Sequence, residues 1–535
     1  MTANQAGKPE LVFALVGGAG VRLNDLRSEL SRALESFGYQ CEHINVSDLL
    51  TRFTSFTPVP DKTDCPEYAR IKHLQEVAFQ VRKMADPAAL ARAGIAAIQE
   101  RRAARTKDPN APACAYILQQ LKHPKEVALL RRVYGQSIMV LGGHATHGSR
   151  EIRLCQVMAG DTGSLENNTK FKNYAADIID IDQKERRFDD SGDLGQNTRD
   201  TYPLADFFVN LERAGGERDI WRFVELLFGH PFHTPEPDEV AMYQANAVSL
   251  RSSDGGRQVG AVIVHEGSNP SRPDLDIIAT GLNEVPRAGG GYYWHGSSPD
   301  NRDQALTDRN EPDRAQAIKR FALTEIVERL KEQKWLTPDL EKQHGYDLAR
   351  RLYPLLKGTQ FMDIGEFMRP VHAEMAALID AARRGVAVQG KTMYVTTFPC
   401  HNCAKHIIAA GIRRVVYLEP YPKSRAELLH REELNMDAAD GKATDDRVAF
   451  GGFTGVAPRQ YARLYGMSAR GEKNGEQLKD WRARRQSLWP RYVLQNAAAA
   501  YLVSEREEVA RLVGKGYRES GEGGANTNPS PTVLS

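Results

Sequence analysis

Cys400 and Cys403 lie together in the stretch FPCHNCAKH (398–406) of a 535-residue chain that has six cysteines. Two thiols at that spacing suit a disulfide, a redox pair or two ligands to one metal ion. The N-terminal MTANQAGKPE lacks the basic-then-apolar plan of a signal peptide, so a cytoplasmic protein with reduced thiols is expected and a disulfide is disfavoured. Cys41, Cys65, Cys114 and Cys155 are scattered and read as small buried side chains. Upstream, VHAEMAALIDAARRG (371–385) brings His372 and Glu374 to the start of an apolar-faced helix. Zinc takes nitrogen and thiolate ligands in a tetrahedron, and a catalytic zinc keeps one position for water. His372, Cys400 and Cys403 are therefore the expected zinc ligands. The two cysteines, three apart in a first helical turn, share one side of that helix. Its unpaired amides favour thiolate over thiol. A structural zinc would need a fourth protein ligand. His401 and His406 are near, but His401 falls between the cysteines on the helix. A thioredoxin-like pair would not need His372-Ala-Glu374, and a lone His-x-Glu usually marks a solvated helix start.

The order His-x-Glu, then Pro-Cys-x-x-Cys, is that of zinc nucleoside and nucleobase deaminases. Zinc draws the pKa of a bound water from about 15.7 towards about 7. Replacing the exocyclic amine of cytosine also requires a proton to reach ring N3 and ammonia to leave. A carboxylate beside the water can carry that proton, and Glu374 is the expected catalytic residue. On a regular helix His372 and Glu374 would point apart, so the start of the helix is expected to bend them together.

The elements that must hold these residues are legible as alternation. Strands are predicted at 11–18, 39–46, 114–121 and 137–143, with helices at 24–38, 66–84, 87–106 and near 125–134. That order suggests a parallel, doubly wound sheet. A proline-rich break at 230–238 sets a domain boundary. Beyond it a hairpin over 258–267 and 275–285 is predicted, then a long charged insertion, 287–367, mostly helical after 311. Next come a helix from His372, a strand at 391–397, a helix from Cys400 and a strand at 413–418, the last three forming a βαβ unit. The stretch 488–514 reads as helical. The expected domains are residues 1–235, residues 236–515 with the insertion 287–367, and a disordered tail at 516–535.

The second half resembles the CMP/dCMP-type deaminase family. The zinc residues carry the resemblance, with RSSDGGRQVGAVIV (251–264), ATGLNEVPR (279–287) and TTFPCHNCAKHIIAAGIRRVVYLEP (396–420). It implies a cytidine-deaminase-like α/β/α sandwich and a cytosine nucleotide as substrate. It maps the residue that holds the sugar onto Asn283. Nearly the whole chain resembles a narrower group, the bacterial anti-phage dCTP deaminases, through LVFALVGGAGVRLNDL (11–26), LKHPKEVALLRRVYG (121–135), GQNTRDTYPLADFFV (195–209), GGGYYW (289–294), YLEPYPKS (417–424) and VAFGGFTGVAPRQYARLYGM (448–467). That likeness implies an N-terminal P-loop kinase-like domain, free deoxycytidine nucleotides as substrates (dCTP and also dCMP), and dCTP depletion as a defence against phage. A homo-oligomer is expected by analogy.

In the N-terminal half GGAGVRLN (17–24) takes the place of a Walker A loop, G-x-x-x-x-G-K-[ST]. Gly17 would open the loop, but Arg22, Leu23 and Asn24 fill its last three places, so the lysine and the magnesium-binding hydroxyl are missing. Phosphotransfer would lack its parts. Backbone amides at Gly17, Gly18 and Gly20, helped by Arg22, could still hold a regulatory nucleotide. The other reading is a structural remnant.

Lys+Arg number 71 and Asp+Glu 69, which argues against a broad basic face for nucleic acid. No apolar run is long enough to span a bilayer, so no membrane partner is expected. Arg251, Lys423, Arg425 and His430 are candidate phosphate contacts, against the reading of a solvated face. Trp294 would stack on a base or order a lid, against simple packing. The basic segment 479–491 reads as interface packing. Three competitors stand beside dCTP deamination: dCMP deamination for thymidylate supply, deamination of single-stranded nucleic acid, and a non-catalytic nucleotide sensor. An aromatic-lined basic channel would mark the second, and an intact Glu374 counts against the third.

Overall fold

The computed structural model describes residues 8–518, apart from residue 55 and residues 58–63, 107–110, 163–168, 185–193, 268–273, 311–312, 357–358, 420–423, 437, 439–444, 467–472, 475–476, 479 and 494–496. Lys423 and nearly all of the expected C-terminal tail lie outside the described residues. The chain divides into two units. One holds residues 1–243, 418–420 and 434–535, and the other residues 244–417 and 421–433.

The first unit is built on a sheet whose centre is β1 (Leu11–Gly17). Parallel neighbours are β3 (Ala113–Leu121) and β4 (Ile138–Gly143), with β2 (Tyr39–Asn45) outside β3 and β5 (Phe207–Val209) outside β4. All seven residues of β1 are buried, as a strand covered on both faces requires. Helix α1 (Leu23–Glu35) buries Leu23, Leu26, Leu30, Ala33 and Leu34, a three-four spacing that presents one apolar stripe to Phe13, Leu15 and Phe223. Cutting Leu30 back to alanine in such a core costs about 2–5 kcal/mol.

The sequence reading placed everything from 236 to 515 in the second domain, yet the chain from 434 onward groups with the first. Gly455–Val456 pairs antiparallel with Phe208 and Phe207 and covers the free edge of β5. Tyr465, Tyr492 and Val493 join the core of Phe13 and Phe37. Glu505 and Glu508 meet Arg102 and Arg92. The predicted helix over 488–514 is confined to Ala497–Ala510, with a 3-10 turn at Arg482–Ser487. Pro490 has no N–H to give a helix through the stretch between them.

The second unit carries a sheet in the order β9 (Arg414–Glu419), β8 (Thr392–Thr397), β6 (Gly260–Glu266) and β7 (Leu275–Leu282). β6 pairs antiparallel with both β7 and β8. Two helices matter for the site: α2 (Ala373–Arg383) and α3 (His401–Ala409). A β-carbon at Gly281 of β7 would lie 2.1 Å from the carbonyl of Ala373 and 2.3 Å from the amide of Ala377. Only glycine lets α2 approach so closely, which fixes the height of its N-terminus above the sheet. The insertion folds around its own small core of Leu323, Val327, Leu348 and Ala349. Among the described residues no helix is long and apolar enough to cross a membrane.

Candidate metal centre

β8 runs out at Thr397, and Phe398-Pro399 lead directly to Cys400. Cys400 is the N-cap of α3 in extended backbone (φ −69°, ψ 166°), and its carbonyl accepts the Ala404 amide at 2.9 Å. Cys403 follows within the first turn and is fully buried. His372 repeats the plan as the N-cap of α2 (φ −66°, ψ 150°), its carbonyl taking the Ala376 amide at 2.8 Å. His372 makes no side-chain capping bond to α2, so its ring is free to face the two sulfurs.

It does so. His372 Nδ1 lies 3.4 Å from Cys400 Sγ and 3.4 Å from Cys403 Sγ, and the three donor atoms are all within 4.8 Å of one another. A tetrahedral zinc at about 2.0–2.3 Å from each donor would set nitrogen and sulfur about 3.5 Å apart, so the cluster fits that ion. Neither His401 nor His406 joins the group. Three soft or borderline donors on two helix starts leave a fourth position open, which distinguishes this centre from a closed structural one.

Because His372 stands in extended backbone just outside α2, it escapes the helical rotation that would separate it from Glu374. Glu374 is in the first turn and only 4% exposed. Burial, then the adjacent Cys400, pushes its carboxyl up to about 7. The Cys403 thiol, donating to Cys400, holds Cys400 down at about 4 and is itself driven well above the usual thiol value by that bond and by burial. A dication bound here would hold both sulfurs as thiolates.

The other sequence candidates take different places. The Asn283 amide is turned onto backbone: Oδ1 accepts from Val259 N at 2.7 Å and Nδ2 donates to the Arg257 carbonyl at 2.7 Å. It ties the strand end to the loop before β6. Next to it, buried Glu284 accepts from Ser253 N and Oγ at 3.0 and 2.8 Å and from Val285 N at 2.9 Å, a loop anchor that sequence reasoning missed. The Arg251 guanidinium lies 3.5 Å over the Trp294 ring and donates to the Tyr293 carbonyl at 3.1 Å. Arg251 and Trp294 therefore hold the start of the insertion to each other.

In the first unit Gly17 ends β1 and Gly20 takes φ +85°, so the glycine loop turns into α1 as expected. Arg22 is ion-paired with Asp25 on the helix surface. The loop also meets residues far away in sequence. Lys122 Nζ donates to the Gly17 carbonyl at 2.8 Å and pairs with Asp182 at 2.7 Å, and Asp182 accepts the Ala19 amide at 2.8 Å.

Residues 235–419 match the family model described as "Cytidine and deoxycytidylate deaminase zinc-binding region". The matched model is that of a zinc-binding region, and zinc is the metal of this centre. The deoxycytidylate deaminase of Enterobacteria phage T2 is 49% identical over 55 residues, 10% of this chain and 29% of that protein. Human deoxycytidylate deaminase is 45% identical over 47 residues, 9% of this chain and 25% of that protein. The chain thus spans less than a third of the length of these curated relatives. The crystal structure of dCMP deaminase from the cyanophage S-TIM5 in apo form aligns over 41% of this chain and 100% of that one, at 17% identity and a TM-score of 0.21.

Proposed function

We propose that this protein hydrolyses the exocyclic amine of free deoxycytidine nucleotides, dCTP above all, and that the resulting loss of dCTP limits phage DNA synthesis. The observation that carries the reaction class is the convergence of His372 Nδ1, Cys400 Sγ and Cys403 Sγ beside the buried Glu374 carboxyl. Zinc bound by those three atoms supplies a water activated near neutral pH. Glu374 would take the proton of that water and deliver it to ring N3 as the oxygen bonds to C4, then take the proton remaining on that oxygen and give it to the amine, which leaves as ammonia when the C4–N bond breaks. Asn283 orients the sugar with the part of its amide not turned to Val259 and Arg257. The dCTP preference and the defence role rest on the likeness of the whole chain to the anti-phage group. The matched relatives are deoxycytidylate deaminases, which makes dCMP the second reading. A regulatory nucleotide on the first unit and a homo-oligomer complete the proposal.

Purified protein given dCTP, dCMP, cytidine and a cytosine-containing oligonucleotide separates these readings by ammonia release. dCTP is expected to turn over fastest, with one zinc per chain by elemental analysis. Ammonia from the oligonucleotide alone would overturn the free-nucleotide reading. Glu374→Ala is expected to keep its zinc and lose turnover, and persistent activity would remove Glu374 from the proton path.

A further inference from the structure

Arg150, on the helix His147–Thr162, brings to the glycine loop a charge offset by Asp182, a carboxylate it shares with Lys122 and the Ala19 amide. Its Nε donates to the Ala19 carbonyl at 2.8 Å, and its Nη2 is buried with no hydrogen-bond partner among the described residues. The side chain as a whole keeps intermediate exposure, but this nitrogen does not. Burial lowers the guanidinium's proton affinity against the opposing pull of Asp182, and the nearby His144 imidazole is held down at about 4 by burial and by Arg150. Asp182 attracts the guanidinium without bonding Nη2, so this buried donor is open to a further anion.

The position of the guanidinium says where that anion belongs. A β-carbon at Gly18 would lie 2.6 Å from Arg150 Nη2, and one at Gly20 would lie 2.6 Å from the Arg150 carbonyl. The loop glycines thus admit Arg150 against the start of α1, a 13-residue helix. The amides of Gly20 and Arg22 make no hydrogen bond among the described residues. A helix start, loop amides and a buried fork of N–H donors together form an anion site. Two other cations near the loop are already engaged: Lys122 with Asp182 and Gly17, and Arg22 with Asp25. Asp182 holds the Ala19 amide, so one loop donor is occupied by an internal carboxylate.

We propose that Gly17–Arg22 binds a phosphoryl anion, that Arg150 is the cation gripping it in place of the absent loop lysine, and that Asp182 is a built-in competitor for the loop amides. The regulatory-nucleotide part of the function proposed above supplies the ligand class. The zinc chemistry is independent of it, and the test below reads no deamination.

Calorimetry on the full-length protein with sodium tripolyphosphate and, separately, ATP provides the test, since neither carries a cytosine base. Both are expected to bind once per chain, and a preference for ATP would identify a nucleoside contact beside the phosphoryl site. Arg150→Met should weaken both at least tenfold, about 1.4 kcal/mol. It should also raise Tm in anion-free buffer, because the buried unbonded donor is gone. Asp182→Asn should tighten both ligands, and Arg22→Ala should change them less than threefold. Binding that survives intact in Arg150→Met, or no binding by either wild type or Asp182→Asn, overturns the proposal. If Arg150→Met does not fold, Asp182→Asn carries the test, and unchanged affinity in that variant refutes the competition at the loop.

Discussion

The helix starts at His372 and Cys400 and the helix start at Leu23 use the same backbone device to opposite ends. At the first two, His372 and Cys400 as extended caps and Cys403 within the first turn bring three lone-pair donors together, His372 Nδ1 3.4 Å from each sulfur, an arrangement suited to a cation. At the third, glycines thin the loop until a guanidinium lies against it, an arrangement suited to an anion. In both places helix-start amides contribute positive potential. In the second unit that potential stabilises thiolates. In the first it adds to Arg150. The side chains brought to a helix start, and not the start itself, decide the sign of the ligand.

The contrast can be broken most sharply at Glu374. Glu374→Gln should lower turnover by about 10²–10⁴-fold with zinc content unchanged, because proton transfer is lost while the three donors stay. Loss of zinc in that variant would mean the carboxylate belongs to the metal cluster. On the other side, Glu126 pairs with Arg82 at 2.9 Å with both side chains buried, and its Oε2 accepts the amides of Lys122 and His123 at 2.9 and 3.1 Å. Glu126→Ala should cost about 3–5 kcal/mol in denaturant unfolding, since it strands a buried guanidinium. A cost near zero would show that buried unpaired arginine is tolerated in this unit and would weaken the case built on Arg150.

Chelation tests the cation side directly. At a thousandfold saturation, removing zinc should withdraw about 4 kcal/mol of stability, seen as a lower Tm, and Cys400→Ala should no longer respond to chelator. Asn283→Ala should cost about 1–3 kcal/mol through the bonds to Val259 and Arg257. A rise in KM beyond what the matched Ser253→Ala loop variant shows would add a substrate contact to that structural role. The smallest effect is expected at Glu332, whose pair with Arg329 is largely exposed. Glu332→Ala should stay within about 0.5 kcal/mol and so calibrates the rest.

The metal centre was legible because its three donors lie in two short stretches. Each opens a helix, and type and spacing alone point to the ion. The bend at His372 was inferable, since only a non-helical residue can face the same way as Glu374 two positions on. The strands of the first unit were legible as apolar runs such as LVFALVG. The return of residues 434–535 to that unit was not, because a two-residue strand at Gly455–Val456 has no periodicity to announce it and its reason is an uncovered edge elsewhere. Arg251 read as a free cation because sequence does not reveal an aromatic ring 43 positions away at 3.5 Å. Lys423 stays a candidate on charge alone.

By itself the sequence determined which atoms could bind a metal, where helices and strands begin, and that the glycine loop lacks its lysine, since these follow from residue type and local spacing. The tertiary structure decided which cation stands at that loop, what Asn283 and Arg251 hold, and to which unit the C-terminal hundred residues belong. Those are contacts between residues from two dozen to more than a hundred positions apart, and only the packing of separate elements selects among them.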